Sequence, residues 1–227
     1  MMEELLPGSV VAVEAHGGDA LGDDVSLYPE EEAVIARAVD KRRREFTAVR
    51  GCARRAMEKL GVPPGPVLPG ERGAPRWPDG LVGSMTHCQD YCAAALVPAA
   101  DVASLGIDAE PHDRLPDGVL DTVALPTEQT RLRELARSHP SIHWDRLLFS
   151  AKESVYKAWF PLTGKWLDFL EADIEIHPGT ALVLSGGFRA RLLVPGPLVD
   201  GRRVEAFDGR WTVQQGLAAT AVVVPHL

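Results

Sequence analysis

No stretch of the 227-residue sequence stays apolar for the roughly 18 residues that a membrane-crossing helix needs, so a helical span is not expected. The opening residues, MMEELLPGS, are acidic and lack a basic n-region, which argues against a secretory leader. Cysteine is scarce: the three in the chain make no disulfide framework and point to a reducing, cytoplasmic setting. Glycine-rich nucleotide loops are missing as well. Neither G-x-G-x-x-G nor a Walker pattern occurs, so neither the dinucleotide-binding nor the P-loop fold is supported. No internal repeat shows at the level of residue identity. A broad positive footprint is also lacking, since the formal charge is −8, and this disfavours a general nucleic-acid binder.

What is present is an ordinary globular composition, 45% hydrophobic and 25% charged, in a length that suits one large domain or two small ones packed together. The charge is uneven. Lys41–Leu60, KRRREFTAVRGCARRAMEKL, holds eight Lys/Arg against two Glu, a balance of +6 that leaves −14 for the remainder. Such a segment fits a grip on one small polyanion, and a merely solvated helix is the plain alternative.

SVVAVEA (9–15) reads as a strand and Pro29–Val39 as a helix opened by proline and three glutamates. Asp40–Leu60 reads as a second helix, stopped by Gly61 and Pro63. VGSMTHC (82–88) and YCAAALV (91–97) read as paired strands, followed by SLGIDAE (104–110). Helices are expected around Glu128–Ser138 and over Trp144–Phe160, the latter ended by Pro161 and Gly164. The last third reads as strands ADIEIH, TALVL, FRARLLV, RRVEAF, RWTVQQ and LAATAVVV, with Asp208-Gly209 as a hairpin turn. The pattern predicts an α+β fold of mainly antiparallel strands with packed helices, in two lobes, 1–103 and 104–227.

Two short motifs carry chemistry. GIDAE places Asp108 and Glu110 two apart at a strand end, where i and i+2 share a face and the carboxylates repel unless a cation lies between them. A solvated strand end is the ordinary alternative. In WDRLLFSAKESVYKAWF, Trp144, Leu147, Leu148, Ala151, Val155 and Trp159 form one apolar stripe. Glu153 and Lys157 stand one turn apart, away from that stripe; a simple surface pair worth about 0.2–0.5 kcal/mol would look the same. Lys152 sits nearer the apolar edge. His87, Cys88 and Cys92 lack a second ligand pair, so zinc is rejected.

GIDAE and FSAKESVYKAW, in this order, resemble the paired signatures of the 4′-phosphopantetheinyl transferases, G-x-D-x-E and W/F-x-x-K-E-S/A-x-x-K. The closer likeness is to the large pseudo-dimeric subclass that modifies carrier proteins of polyketide, nonribosomal-peptide and siderophore synthesis. KRRREFTAVRGCAR, GAPRWPDGLVGSMTHC and PLTGKWLDF extend the resemblance over roughly residues 41–169. It implies a monomer of two similar lobes in pseudo-twofold arrangement. It also implies coenzyme A as donor, a serine of an apo acyl or peptidyl carrier protein as acceptor, and 3′,5′-ADP as product.

By the same resemblance Asp108, Glu110 and Glu153 would hold Mg²⁺, or Mn²⁺ in its place, as hard oxygen ligands. Glu153 would also deprotonate the carrier serine, and Lys157 would hold the α-phosphate or protonate the leaving group. Lys152 would clamp phosphate. Arg50, with Arg42 or Arg43, and Arg72, Pro75, Thr86 and His87 would surround coenzyme A. Gly73-Ala74-Pro75 departs from the family's G-K-P, so the loop's cation would be Arg72 or Arg76. Tyr156 and Trp166 are candidates to line a channel for the pantetheine arm, and Arg131, Arg133 and Arg137 to face the carrier. Two other readings stay open: a Mg²⁺-dependent nucleotide pyrophosphate hydrolase, and a non-catalytic coenzyme A binding module.

Overall fold

A computed structural model describes residues 1–17, 25–179 and 184–227. Strand β1 (Val11–His16) leads to helix α1 (Pro29–Val34), helix α2 (Asp40–Lys59), and the hairpin of β2 (Leu81–Cys88) and β3 (Tyr91–Pro98). They form a sheet in the order β1-β3-β2, antiparallel throughout. The second lobe opens with β4 (Ser104–Pro111) and, after one turn at Val119–Val123, continues through α3 (Pro126–Ser138) and α4 (Trp144–Thr163). It closes with β5 (Ala172–Pro178), β6 (Ser185–Leu192), β7 (Ala206–Gln214) and β8 (Leu217–Val224). Its antiparallel sheet has the order β4-β8-β7-β6-β5. In both sheets the strand that opens the lobe pairs with the last strand of a hairpin. The two lobes therefore share one plan, and the fold class is α+β, as the sequence predicts.

The apolar stripes decide the packing. Val49, Ala53, Ala56 and Met57 of α2 lie on Cys92, Ala94 and Leu96 of β3. Leu147, Leu148, Ala151 and Val155 of α4 lie on the second sheet with Trp211 and Val222. A third core joins the lobes: Met2, Leu5 and Leu6 pack with Ala93, Ala95 and Val97 of β3 and with Leu105, Ile107 and Ala109 of β4. Each fully buried Leu, Ile or Val contributes about 1.5–3 kcal/mol, so this shared core is the main adhesive between the lobes. Strand β3 serves cores on both faces because its run of small residues is apolar at every position.

The seam between the sheets is made by hydroxyls. Ser84 Oγ accepts from the Ile107 N–H at 3.0 Å and Thr86 Oγ1 from the Ala109 N–H at 3.1 Å. Both contacts advance by two residues on each strand, so β2 and β4 run side by side in the same direction.

Three expectations change. Helix α1 ends at Val34 rather than Val39; the Ile35 carbonyl beyond it accepts from the Ala38 N–H in a turn and from the Arg43 guanidinium, both at 2.9 Å. Helix α4 runs past Pro161, which sits in its last turn, and stops at Gly164 with φ 63°. Asp208-Gly209 makes no turn but lies inside β7, where the missing side chain of Gly209 admits the Phe188 ring across the ladder. The β7–β8 turn falls instead at Gln215-Gly216, both with positive φ (52° and 76°). Most of the expected strand TALVL, residues 180–183, lies outside the described residues.

Candidate active site

The glycine of GIDAE has a packing reason. A Cβ on Gly106 would run into the Ser154 carbonyl, so only glycine lets β4 lie directly on the backbone of α4. Ser104 Oγ donates to the Ala158 carbonyl at 2.7 Å along the same contact. This approach sets Lys157 Nζ 2.8 Å from Asp108 Oδ1 and 3.0 Å from the Ile107 carbonyl. Thr86 donates to the same Asp108 Oδ1 at 3.2 Å. The other carboxylate oxygen, Asp108 Oδ2, is buried without a hydrogen-bond partner.

Two more carboxylates stand around this point. Burial pushes the Glu153 carboxyl above its ordinary pKa; Asp108 adds to the shift and Lys157 opposes it. Burial and the neighbouring Asp108 push Glu110 up too, against Arg146, whose Nη1 donates to Glu110 Oε2 at 3.1 Å. Arg146 also donates to the Asp113 and Arg114 carbonyls at 3.1 and 2.9 Å, tying the start of α4 to the chain after GIDAE.

Above the seam lies a cavity of about 560 Å³ between the lobes. The first lobe lines it with Arg42, Arg50, Arg72, Pro75 and His87, the second with Glu153, Tyr156 and Lys157. Arg42 Nη1 lies 2.8 Å from His87 Nε2, which must accept, so the ring's proton is on Nδ1. Burial and the Arg42 charge hold His87 below the ordinary imidazole value of 6.5. Arg50 is lowered by burial to about 10 and remains a cation at neutral pH. Its guanidinium stacks on Phe46 and donates to the Val67 carbonyl at 3.1 Å. Arg72 adopts φ 53° and lies over the Trp166 ring at 5.5 Å, so the loop of one lobe reaches across to the other.

Four expected ligands are placed elsewhere. Arg43 does not line the cavity; it pairs with Glu32 at 2.6 Å. Thr86 is buried in the seam and spends its hydroxyl on Ala109 and Asp108. Glu110 is engaged by Arg146. Lys152 is corrected most plainly. Its side chain is 1% exposed, paired with Glu128 Oε2 at 2.8 Å and donating to the Phe169 and Ala172 carbonyls. A long stem at the apolar edge led inward here, and no hydrogen of that ammonium is left for a phosphate.

The three carboxylates also do not form a ready-made cage. Among the described residues no group of three or more His, Cys, Asp or Glu stands close enough to hold a metal ion. The physical reason is that Lys157 and Arg146 already neutralise Asp108 and Glu110. The donor set still suits Mg²⁺, which takes one or two carboxylates and completes its shell with water and substrate phosphate. The unpartnered Asp108 Oδ2 is the atom that fits such a cation.

Sequence reasoning missed Ser84, Arg146 and two buried glutamates. Glu31 accepts from the Tyr28 and Val67 N–H groups at 3.0 and 2.8 Å and pairs with Arg54. Glu128 accepts from the Leu125 and Ile174 N–H groups, both at 2.7 Å, and pairs with Lys152. Both follow a proline by two residues at a helix start, which was a readable cue. Of the proposed carrier contacts, Arg131 is held by Asp173 and the Ile174 carbonyl, and Arg133 donates to Thr130 Oγ1 at 3.0 Å.

The sequence that builds these two lobes matches known proteins. Residues 30–97 match the 4′-phosphopantetheinyl transferase N-terminal domain, and residues 104–195 the 4′-phosphopantetheinyl transferase superfamily. The chain is 59% identical over 225 residues to the 4′-phosphopantetheinyl transferase Svp of Streptomyces mobaraensis, covering 99% of this chain and 89% of the relative. It is 50% identical over 197 residues to PptT of Mycobacterium tuberculosis, covering 86% and 85%. To Npt of Nocardia iowensis it is 48% identical over 225 residues, covering 98% and 99%. The chain belongs to the 4′-phosphopantetheinyl transferase family and is an enzyme of that class. No helix among the described residues is long and apolar enough to cross a membrane.

Proposed function

We propose that the protein transfers the 4′-phosphopantetheine group of coenzyme A to a serine of an apo acyl or peptidyl carrier protein, releasing 3′,5′-ADP, with Mg²⁺ and in the cytoplasm. The observation that carries this reading is the buried, unpartnered Asp108 Oδ2 beside Lys157, on the seam beneath a cavity lined with arginines. Arg42, Arg50 and Arg72 present guanidinium groups to the phosphates of coenzyme A, and Phe46 and Trp77 supply apolar wall. Asp108, with Glu153 and with Glu110 if Arg146 releases it, would hold Mg²⁺, which would supply positive charge for the diphosphate.

Glu153 takes the serine proton. Burial raises its pKa, which makes its carboxylate a stronger base than an exposed one. Lys157 sits one helical turn on, where it steadies the departing phosphate or returns a proton to it. His87, neutral and tied to Arg42, orients that arginine toward the cavity.

Mass spectrometry tests the proposal. Purified protein, coenzyme A and Mg²⁺ should add about 340 Da to an apo carrier protein. Release of pantetheine phosphate with no carrier present would identify a hydrolase instead. A carrier and a coenzyme A pool both unchanged would leave only a binding module.

A further inference from the structure

We infer that Lys152 is a positioning residue for the transfer reaction, fixing the Trp166–Ala172 segment as one wall of a recess beside Glu153. The inference rests on the transferase reading for its activity assay. Its structural basis is separate.

The three hydrogens of the Lys152 ammonium meet Glu128 Oε2 at 2.8 Å, the Phe169 carbonyl at 2.6 Å and the Ala172 carbonyl at 2.8 Å. The Glu128 carboxylate is equally occupied, by Lys152 and by the Leu125 and Ile174 N–H groups. Both side chains are sealed, at 1% and 0% exposure. One buried pair therefore joins the start of α3, the middle of α4, the turn Phe169–Glu171 and the first residues of β5.

The segment so tied encloses a recess of about 230 Å³ with Glu153 on its opposite wall. Phe169 packs on Phe149 with ring centroids 5.8 Å apart, and Trp166 on Tyr156 at 5.0 Å. On its outer side the segment is exposed, Trp166 at 53% and Leu170 at 42%. Besides the ring contacts and the burial of Leu167 and Ala172 in the α4 core, it is tied to α4 by Lys152, and the adjoining Lys165 carbonyl accepts from the Trp159 indole at 2.9 Å. Freeing the Lys152 end moves the wall next to Glu153. It leaves Arg42 and Arg50, on the other lobe, untouched, and Arg72 stays because Trp166, over whose ring it lies, is held at the far end of the segment by Tyr156. Lys152 thus governs the rate of transfer, and the affinity for coenzyme A lies elsewhere.

The test compares Lys152→Met with the double variant Lys152→Met/Glu128→Leu. The single variant leaves Glu128 buried and unpaired, and its Tm should fall by about 10 °C. The double variant replaces both charges with apolar groups and should return to within about 3 °C of wild type. In calorimetry with Mg²⁺, the Kd for coenzyme A should stay within about threefold of wild type in both. The kcat of the double variant for an apo carrier should remain about tenfold low, since the Phe169 and Ala172 carbonyls still lack their donor.

A Kd weakened tenfold or more in the stable double variant would make Lys152 a phosphate ligand and overturn the inference. So would a kcat that recovers together with Tm, which would leave Lys152 only a stabilising role, or a single variant as stable as wild type. Wild-type protein that transfers nothing to the carrier sinks the transferase reading itself, and that failure is visible before any variant is made.

Discussion

Each lobe contains the same buried knot, tied differently. In the first, Glu31 follows Pro29 at the head of α1, accepts from the N–H of Tyr28 before the helix and of Val67 beyond it, and pairs with Arg54 on the long helix α2. In the second, Glu128 follows Pro126 at the head of α3, accepts from Leu125 and Ile174 in the same way, and pairs with Lys152 on the long helix α4. The basic partner lies 23 residues after the glutamate in one lobe and about 24 in the other, by the same count along the chain. The difference is in the cation. Arg54 keeps 12% of its side chain exposed and reaches the Ser26 carbonyl outside, with Arg50 alongside facing the cavity; Lys152 is shut in. The first lobe turns spare guanidinium groups toward a ligand. The second uses its ammonium entirely for its own architecture and, in the reaction we propose, leaves the chemistry to Asp108, Glu153 and Lys157.

If that division of labour holds, the largest effect comes from the reacting end. Asp108→Asn keeps an acceptor for Thr86 but removes the charge, and kcat for carrier modification should fall about 10³-fold with the thermal midpoint nearly unmoved. Retained transfer would separate the seam from the chemistry. Next come the knots themselves. Glu128→Ala strands a sealed ammonium and should cost about 3–5 kcal/mol in denaturant unfolding. Glu31→Ala should cost less, since Arg54 can turn to solvent, although the buried Arg50 also loses its carboxylate at 3.8 Å. Equal costs would erase the distinction between the lobes.

On the binding side, Arg42→Ala should weaken coenzyme A about tenfold in calorimetry and lower kcat far less. A kcat loss larger than the affinity loss would move Arg42 into the chemistry. The smallest effect is a slope. His87 has a folded pKa below 6.5, so between that pKa and 6.5 the unfolded chain binds more protons than the folded one. The stability due to neutral His87 is present above pH 6.5 and is lost as pH falls through the folded pKa. His87→Gln should flatten Tm against pH in that window, and an unchanged slope would show that His87 titrates normally.

Much of this was legible along the chain. The apolar stripe of α4 predicts a helix whose buried face is the observed one, and the paired runs VGSMTHC and YCAAALV predict the hairpin β2–β3. GIDAE reads as a strand end with two carboxylates on one face, and that is where it lies. The sequence misled where a local cue had two uses. Asp208-Gly209 carries turn chemistry, but the glycine serves the Phe188 ring and the strand runs straight through it to the turn at Gln215-Gly216. Lys152 carries phosphate-binding chemistry, but its helical position beside the apolar stripe points it at Glu128. Periodicity says that a side chain faces the protein interior. It does not say what waits there.

Taken alone, the amino-acid order determined the α+β class, the two long helices, the cationic segment and the residue types needed to split a diphosphate, because each depends on neighbours within a few positions. Only the tertiary structure decided which cations remain free. Arg43, Arg54 and Lys152 are neutralised by carboxylates 11, 23 and about 24 residues away, whereas Arg42 and Arg72 face the interlobe cavity; Arg50 lines that cavity too but shares Glu31 with Arg54, at 3.8 Å. An ionic group can bind a ligand strongly only if no internal partner has already claimed it, and partners so distant in the chain meet only when the cores have closed.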